Sequence, residues 1–320
     1  MKILLLELNS SETCARKPSR YGGSGRTLRC LAENIDNCYL AAEESCFEGD
    51  INEKCICLKR NDIESIKNGT NLYYLLGNCD LFVYANPLLV LNTEKPQLCW
   101  SVGANENINP NIKNLLLHNP KWQSPRIQSP NTKVHEFVLG IDIPPFEEYK
   151  KSIDVFQCSN HYSAINSHWV ANWCVKHKIK GVFAGPIDIN YKQTFLNEID
   201  YNYATYIGQI DEDEKIRLMK MARCYTSIIA YPINGPQLSI KQAWSYNCII
   251  VSTEMGIMPE VVKHGENGFI IHSEDEFVDA VKAHSWEINQ KDCWGASLRW
   301  SAPRMVESFK KVIEGVVKEN

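Results

Sequence analysis

Short apolar runs alternate with helical stripes along the first part of the chain. Residues 3–8 form the kind of apolar run that suits a central parallel strand, because such a strand is buried on both faces. Apolar residues then recur at helical spacing, at Leu28, Leu31, Ile35 and Cys38. Further strands are predicted at 81–84, 98–102, 115–117 and 134–139. Strands that alternate with helices predict a parallel sheet with helices on both faces, so this part should be one α/β domain.

A second α/β pattern begins after the segment 141–146, where two prolines stiffen the chain and the periodicity stops. Strands are predicted at 153–156, 181–184, 204–207, 227–231, 248–252 and 269–272, and helices at 165–174, 211–224, 259–263 and 274–283. A long amphipathic helix is predicted to begin near Ser301, with its apolar residues on one face: Met305, Val306, Phe309, Val312, Ile313, Val316 and Val317. A helix of this kind must dock, and it could cross back onto the first domain.

Length and composition favour a two-domain globular protein. The chain has 320 residues, which exceeds the usual size of a single core. We therefore predict a first domain at 1–143, a second at 144–300 and a C-terminal helix at 301–320. The chain is 44% hydrophobic and 22% charged, and no apolar run reaches the roughly 18–20 residues of a membrane span. We expect no transmembrane segment and a cytoplasmic location.

Cysteine usage and charge exclude some classes of function. The thirteen cysteines contain no C-x-x-C pair, which argues against a zinc site and a disulfide framework and favours free thiols in a reducing compartment. The net charge of −4 argues against nonspecific binding to nucleic acid. The glycine-rich stretch 21–25 lacks the G-x-G-x-x-G spacing, so a hydride-transfer enzyme is disfavoured.

The segment 231–256, YPINGPQLSIKQAWSYNCIIVSTEMG, holds the most suggestive turn. An apolar strand runs into a Pro/Gly/Asn turn, then a short helix and another apolar strand. In an open parallel sheet ligands bind where strands end, and a helix N-terminus there offers backbone N–H groups that suit phosphate. Gly235 would let the backbone approach a ligand closely. The alternative is an ordinary strand-to-helix turn, of which every α/β protein has several.

An ordered set of motifs between Ala204 and Ile271 resembles the donor half of GT-B glycosyltransferases, in particular family 4. The matching stretches are Tyr206-Ile-Gly208, Met221-Ala-Arg-Cys224, Pro232, Gly235, Leu238-Ser239, Gln242-Ala-Trp244, 249–253, 256–262 and 265–269. The set spans some seventy residues and is far more specific than any single motif. The linker 140–146 and the stretch 21–23 match the family more loosely.

The resemblance implies a GT-B fold, in which two Rossmann-like domains face each other across a cleft. The N-terminal domain would hold the acceptor and the C-terminal domain the nucleotide-sugar donor. The implied reaction moves a sugar to an unidentified hydroxyl, with retention of anomeric configuration and without a metal or other cofactor. The acceptor could be a glycan, a lipid-linked molecule, a protein or a nucleic acid.

The family's pair of acidic residues, with seven residues between them, is replaced here by two amides. Asn234 takes the position near the transferred sugar and Gln242 the position near the ribose. Amides exchange hydrogen bonds with hydroxyls, but neither can serve as a carboxylate nucleophile. An Asn at 234 therefore favours front-face attack over a covalent intermediate. Glu106, after a predicted strand end, is a second catalytic candidate that could face the acceptor.

The family's basic pair, which clamps the diphosphate, is also missing. Asn160 and His161 occupy the matching segment, and Arg26 could supply the lost charge. The full set of predicted donor contacts is Gly22, Gly23, Arg26, Asn160, His161, Gly208, Gly235, Gln237, Leu238, Ser239 and Gln242. Two other readings follow from the lost charges or the open acceptor: a catalytically silent GT-B protein that binds a nucleotide-sugar or glycan, and a glycosyltransferase acting on modified DNA bases.

Other motifs have simpler explanations than catalysis. Residues 211–213 read D-E-D, which could be a metal–diphosphate motif but fits the acidic first turn of a helix better. His161 and His168 are predicted to lie two turns apart on one helix, as core or capping residues in preference to metal ligands. Trp169, Trp173 and Trp244 are predicted to lie in the core.

Overall fold

The chain folds into two compact α/β units. The computed structural model describes residues 1–6, 23–43, 53–67, 79–84, 90–91, 93–100, 109–117, 131–161, 165–229 and 237–318. Unit 1 comprises residues 1–141 together with 302–320, and unit 2 comprises residues 142–301. The chain therefore leaves unit 1 after Ile141 and returns to it at Ala302. The Ala302 N–H donates a hydrogen bond of 2.8 Å to the carbonyl of Ile141.

Unit 1 is built on a parallel sheet. Its described strands lie in the order β3-β2-β1-β4-β5-β6-β7. They are β1 (Ile3–Leu6), β2 (Cys38–Glu43), β3 (Cys55–Leu58), β4 (Leu81–Tyr84), β5 (Gln97–Trp100), β6 (Asn114–Leu117) and β7 (Lys133–Glu136), with helices α1 (Gly23–Asn34) and α2 (Arg60–Lys67). β1 and β4 are buried along their whole length, which explains their unbroken apolar sequences. β2, β3 and α2 were not predicted, because their apolar positions are too few or too mixed with polar residues.

Unit 2 is built on a second parallel sheet, with strand order β10-β9-β8-β11-β12-β13. Its strands are β8 (Ile153–Cys158), β9 (Gly181–Ala184), β10 (Ala204–Tyr206), β11 (Ala222–Ser227), β12 (Ile249–Ser252) and β13 (Gly268–Ile270). Its α-helices are α3 (Ser167–His177), α4 (Lys192–Leu196), α5 (Glu212–Met221), α6 (Leu238–Ser245), α7 (Met258–Val261), α8 (Glu274–Asp279) and α9 (Gln290–Ser297). β9 and β10 lie on one side of β8, and β11, β12 and β13 lie on the other. The order in which the strands are added therefore reverses between β8 and β11.

The C-terminal helix α10 (Ala302–Lys318) belongs to unit 1. It packs against α1 and β7. Its buried face consists of Ala302, Met305, Val306, Phe309, Val312, Ile313 and Val316. The Phe309 ring lies 6.3 Å from that of Phe137, which lies 5.7 Å from that of Trp100, so α10 completes the aromatic part of this core.

Three sequence predictions in unit 2 were wrong. The helix predicted over 211–224 ends at Met221, and the next strand occupies 222–227 in place of the predicted 227–231, because that stretch is buried along its length and pairs with β8 and β12. His161 and His168 do not share a helix, since α3 begins only at Ser167. Trp169 is 48% exposed and not in the core.

Among the described residues, no helix combines the length and apolarity that crossing a membrane requires.

Candidate active site

The reversal of strand order in unit 2 marks the expected position of a ligand site. Open parallel sheets bind ligands outside the carboxyl ends of their strands, at the point where the chain changes direction. In unit 2 that point lies between the ends of β8 and β11, at Cys158 and Ser227. Helix α6 follows β11 and begins at Leu238. We call the residues that follow β8, β9, β10 and β11 the carboxyl edge.

Backbone hydrogen bonds tie three loops of the carboxyl edge together. The Ser159 N–H donates to the Ala184 carbonyl at 3.1 Å, and the Gly185 N–H donates to the Gly208 carbonyl at 2.8 Å. Gly185 has a φ of +121°, and a Cβ there would lie 2.0 Å from the Ser159 carbonyl oxygen. Only glycine allows this approach, so Gly185 holds the segment after β8 in place.

Gly208, a predicted donor contact, follows β10 at the same edge. Its φ is +79°, and an added Cβ would meet nothing within 4 Å. The backbone conformation therefore favours glycine, while the space beside it is open.

His161 is a buried residue that supports the loop. It is 0% exposed, and its ring stacks on Phe195 with centroids 4.8 Å apart. Nε2 lies 2.9 Å from the Ala184 carbonyl and must donate to it, so Nδ1 accepts from the Ser167 hydroxyl at 2.7 Å. Burial lowers the His161 pKa to about 4, which keeps the ring neutral.

These contacts use both ring nitrogens of His161 inside unit 2. In this arrangement its side chain has no nitrogen for the diphosphate contact that the sequence suggested, and its role is to position the loop. Asn160, the other residue predicted there, is exposed.

The start of α6 is connected to the end of β8 through a tyrosine. The Tyr225 hydroxyl donates to the Cys158 carbonyl at 2.6 Å and also contacts the Ser239 side chain. Gln237 is the N-cap of α6, and its side chain makes no capping hydrogen bond. The structure thus brings the predicted residues Gln237, Leu238 and Ser239 to the edge where β8 ends.

Gln242 lies beside a carboxylate that sequence reasoning did not select. Its Nε2 donates to Glu212 Oε1 at 2.6 Å, and Glu212 Oε2 lies 2.7 Å from Lys215 Nζ. Both partners come from the first turns of α5, and their side chains are only 18% and 14% exposed. We call Glu212, Lys215 and Gln242 the polar triad.

The polar triad lies near the end of β8. Burial raises the pKa of the Cys158 thiol to about 11, the positive charge of Lys215 opposes this rise, and the negative charge of Glu212 adds to it. The sequence signal for the triad was the acidic turn 211–214. The prediction that this turn caps a helix is confirmed for Asp211, whose side chain accepts from the Glu214 N–H at 2.8 Å. Its neighbour Glu212 points to Gln242, a contact between α5 and α6 that only the tertiary structure reveals.

Unpaired buried polar groups concentrate at the same edge. Tyr225 is in register with Phe156, so the next residues, Thr226 and Gln157, are neighbours across β11 and β8. Within the described residues, the Gln157 amide, the Thr226 hydroxyl and the Ser159 hydroxyl are buried without a hydrogen-bond partner. Such groups are rare in folded proteins and often mark functional sites.

Several predicted residues cannot be placed. Asn234, Gly235, Glu106 and Gly22 lie outside the described residues. Gly23 is the first residue of α1 in unit 1, and the side chain of Arg26, in the same helix, is not described.

A known protein family matches the part of unit 2 that extends from α3 to α8. Residues 169–284 match the family described as Glycosyl transferases group 1. The matched stretch makes up about a third of the chain. It contains every residue of the polar triad and the start of α6. A search of curated proteins gave no match to the chain.

Solved structures show that the whole chain has the fold of GT-B glycosyltransferases. AviGT4, a glycosyltransferase involved in avilamycin A biosynthesis, matches with a TM-score of 0.74 at 12% identity, over 100% of this chain and 99% of its own. A glycosyltransferase from Rickettsia africae matches with a TM-score of 0.72 at 13% identity, over 100% and 99%. HepE from Anabaena, in complex with UDP and glucose, matches with a TM-score of 0.68 at 15% identity, over 98% and 100%.

The predicted GT-B fold is thereby confirmed, and together with the match of residues 169–284 to glycosyl transferases group 1 it identifies the protein as a glycosyltransferase.

Proposed function

We propose that this glycosyltransferase moves a sugar from a UDP-sugar to a hydroxyl of an unidentified acceptor. Unit 2 would bind the donor and unit 1 the acceptor. The observation that carries the proposal is the carboxyl edge of unit 2, where the polar triad and the start of α6 meet beside β8. The choice of UDP is supported by the HepE structures, which contain UDP with glucose or UDP-glucose.

Gln242 can replace the family's carboxylate because Glu212 orients it. Since Nε2 donates to Glu212, the amide oxygen is left as an acceptor. A ribose hydroxyl needs an acceptor of this kind, which a carboxylate provides in the family. The amide of Gln242, held in one orientation, would therefore bind the ribose as the family's acid does.

Lys215 is a candidate for the positive charge that the sequence seemed to lack. Its Nζ is paired with Glu212 and lies close enough to the end of β8 to affect the Cys158 thiol. The diphosphate would lie on backbone N–H groups at Leu238 and Ser239, with Gly235 allowing close approach and Asn160 adding a polar contact. These groups would stabilise the charge that grows on the leaving diphosphate.

The reaction proposed is retaining and metal-independent. Asn234 has no carboxylate with which to form a covalent sugar intermediate, so it would hydrogen-bond to the sugar during front-face attack. Glu106 would face the acceptor.

Calorimetry and product analysis test the proposal. UDP should bind more tightly than GDP, ADP or CDP, and incubation with UDP-sugars and a panel of glycan, lipid-linked, protein and nucleic-acid acceptors should give a product with the donor's anomeric configuration, in the presence of EDTA. Failure of every nucleotide diphosphate to bind would exclude the donor site. Product formed only with added metal, or with inverted configuration, would contradict the mechanism.

A second function is favoured by the two amides at 234 and 242. A GT-B protein without the paired acids could bind a nucleotide-sugar and not turn it over. Tight UDP-sugar binding, with neither transfer nor hydrolysis for any donor and acceptor in the panel, would support that reading over the first.

A further inference from the structure

Unit 2 has a polar cavity at the edge of its sheet opposite the carboxyl edge. The cavity measures about 180 Å³ and is lined by Lys151, Arg223, Asn247, Ile249, Ser285, Trp286, Ile288 and Gln290. Arg223 and Ile249 lie at the beginnings of β11 and β12, and Lys151 precedes β8 by two residues. The cavity therefore lies at the amino ends of the central strands. A six-residue strand spans roughly 17–20 Å, so the cavity is well separated from the carboxyl edge.

Arg223 is buried with few partners. It is 7% exposed, and among the described residues its one ion pair is with Asp154, at 3.6 Å from Nη1 to Oδ1. Asp154 also accepts the Lys180 N–H at 2.9 Å, so its carboxylate is shared. No described residue accepts a hydrogen bond from the Arg223 guanidinium within 3.5 Å. A guanidinium carries five N–H donors, and leaving them unpaired in a buried position is costly.

Lys151 adds a second positive charge to the same cavity. Its Nζ donates to the Tyr246 carbonyl at 2.9 Å and weakly to the Met219 carbonyl at 3.4 Å, which leaves one of its three donors. Burial lowers the Lys151 pKa, and the charge of Arg223 lowers it further. None of the residues that line the cavity is acidic. Together with Asp154, the charged groups around it carry an excess of one positive charge.

Trp286 forms the open side of the cavity. The Arg223 guanidinium lies over its ring, and the residue is still 66% exposed. A large aromatic side chain that is exposed beside a cationic cavity offers an apolar surface to whatever part of a ligand extends outward.

We propose that this cavity binds the phosphate group of a small molecule, at a site distinct from the nucleotide site. Arginine binds phosphate through paired N–H donors and lysine binds it as a point charge, so Arg223 and Lys151 supply the two kinds of contact expected. The bound phosphate would satisfy the guanidinium donors and balance the excess charge. The phosphate could be inorganic or part of a phosphate monoester whose organic part lies against Trp286.

Titration with inorganic phosphate tests the site. Binding is measured by calorimetry and by melting temperature, with and without saturating UDP, against chloride at matched ionic strength. Phosphate should bind in both conditions and raise the melting temperature more than chloride does. Arg223→Gln and Lys151→Met should each weaken phosphate binding at least tenfold. Arg217→Gln is the matched control, because Arg217 is 56% exposed and pairs with Glu214 in α5, and it should bind phosphate as the native protein does.

Trp286→Ala keeps the test valid if Arg223→Gln does not fold, since Trp286 is exposed. It should weaken binding of glucose 1-phosphate more than binding of inorganic phosphate if the natural ligand is a monoester; an equal, modest effect on both would indicate free phosphate. A phosphate effect that chloride reproduces, that UDP abolishes, or that is unchanged in Lys151→Met and Trp286→Ala would overturn the proposal. Arg223 would then be only a structural partner of Asp154 and Trp286.

Discussion

At the scale of single residues, substitutions at Gln242 test whether its amide binds the ribose in place of the family's carboxylate. Gln242→Ala should weaken UDP binding by about 1–2 kcal/mol, or roughly 5- to 30-fold, because one or two hydrogen bonds to the ribose are lost. Isothermal titration with UDP measures the change. Gln193→Ala is the matched control, since among the described residues the exposed Gln193 amide donates a hydrogen bond only to Asn197, at 2.6 Å. Equal UDP affinity in both variants would remove Gln242 from the nucleotide site.

The reverse substitution, Gln242→Glu, distinguishes this protein from the family pattern. In the native protein Glu212 accepts a hydrogen bond from the Gln242 amide at 2.6 Å. The substitution restores the family's acid but places a second carboxylate against Glu212. We expect Gln242→Glu to bind UDP more weakly than the native protein, and Gln242→Glu combined with Glu212→Gln to recover affinity, because the donor and acceptor are then exchanged. Calorimetry on the two variants provides the measurement, and a failure of the pair to recover would show that Glu212 does not orient residue 242.

Gly185 should be far less tolerant of substitution than Gly208. A Cβ at Gly185 would lie 2.0 Å from the Ser159 carbonyl oxygen, while one at Gly208 meets nothing. Both have positive φ, so Gly208→Ala should cost about 1–2 kcal/mol from backbone strain alone, and Gly185→Ala about 2–4 kcal/mol because a steric clash is added. Urea unfolding of the two variants gives the difference. Equal losses would mean that the loop after β8 moves away freely.

At the scale of elements, the N-terminus of α5 links stability to the nucleotide site. Asp211→Ala removes the cap to the Glu214 N–H and should cost about 1 kcal/mol of stability. Because Glu212 begins this helix, loosening the first turn should also weaken UDP binding a few-fold. Ser273→Ala is the control, since Ser273 caps α8 in the same unit through the Glu276 N–H at 3.2 Å. Urea unfolding and calorimetry should show a stability loss in both variants but weaker UDP binding only in Asp211→Ala.

Helix α10 should stabilise unit 1 selectively. Phe309 is fully buried against Phe137, so Phe309→Ala should destabilise unit 1 by about 3–5 kcal/mol. Hydrogen exchange resolved by peptide should then rise in β1, β4 and β7 and stay unchanged in β8 and β11. The exposed change Lys311→Ala on the same helix should leave both units protected, because the Lys311 side chain is 72% exposed. Equal loss of protection in both sheets would contradict an independent unit 1.

At the scale of the whole molecule, one buried lysine should shape the dependence of stability on pH. Lys241 is 1% exposed in α6, and burial lowers its pKa from 10.5 to about 7. Between these values the unfolded chain binds one proton more than the native protein. The contribution of Lys241 to stability therefore rises with pH across this window, by up to about 1.4 kcal/mol per pH unit, and the cost of burying the charge is greatest below pH 7.

Lys241→Met isolates this contribution. The variant should gain stability relative to the native protein at pH 6 to 7, and the gain should shrink toward pH 10. Buried thiols with raised pKa values make stability fall with pH in the alkaline range; burial raises the Cys224 pKa to about 12, for example. Their contribution is the same in the variant and the native protein, so it cancels in the difference between them. Lys263→Met, at a side chain that is 62% exposed, is the control and should show no pH-dependent difference. A gain for Lys241→Met that is independent of pH would contradict the lowered pKa.

The sequence by itself determined the architecture of this protein. Apolar runs such as 3–6 and 249–251 are typical of strands buried on both faces, and the apolar face of 302–318 had to be buried on a neighbour. The motifs from Gly208 to Phe269 also pointed to the glycosyltransferase fold. All of these signals are local, since they depend on spacing within one element or on residues close in the chain.

Only the tertiary structure decided which side chains meet. Glu212 and Gln242 are thirty residues apart, and their hydrogen bond exists because the tertiary structure brings the first turn of α5 next to a side chain of α6. The burial of His161 likewise depends on Ala184 and Phe195, which belong to later elements. The start of β11 at Ala222 follows from pairing with β8 and β12, which overrides a helical pattern in that stretch. Contacts between distant parts of the chain have no periodic signal in a single sequence, so the chemistry of the site became visible only after the strands were ordered.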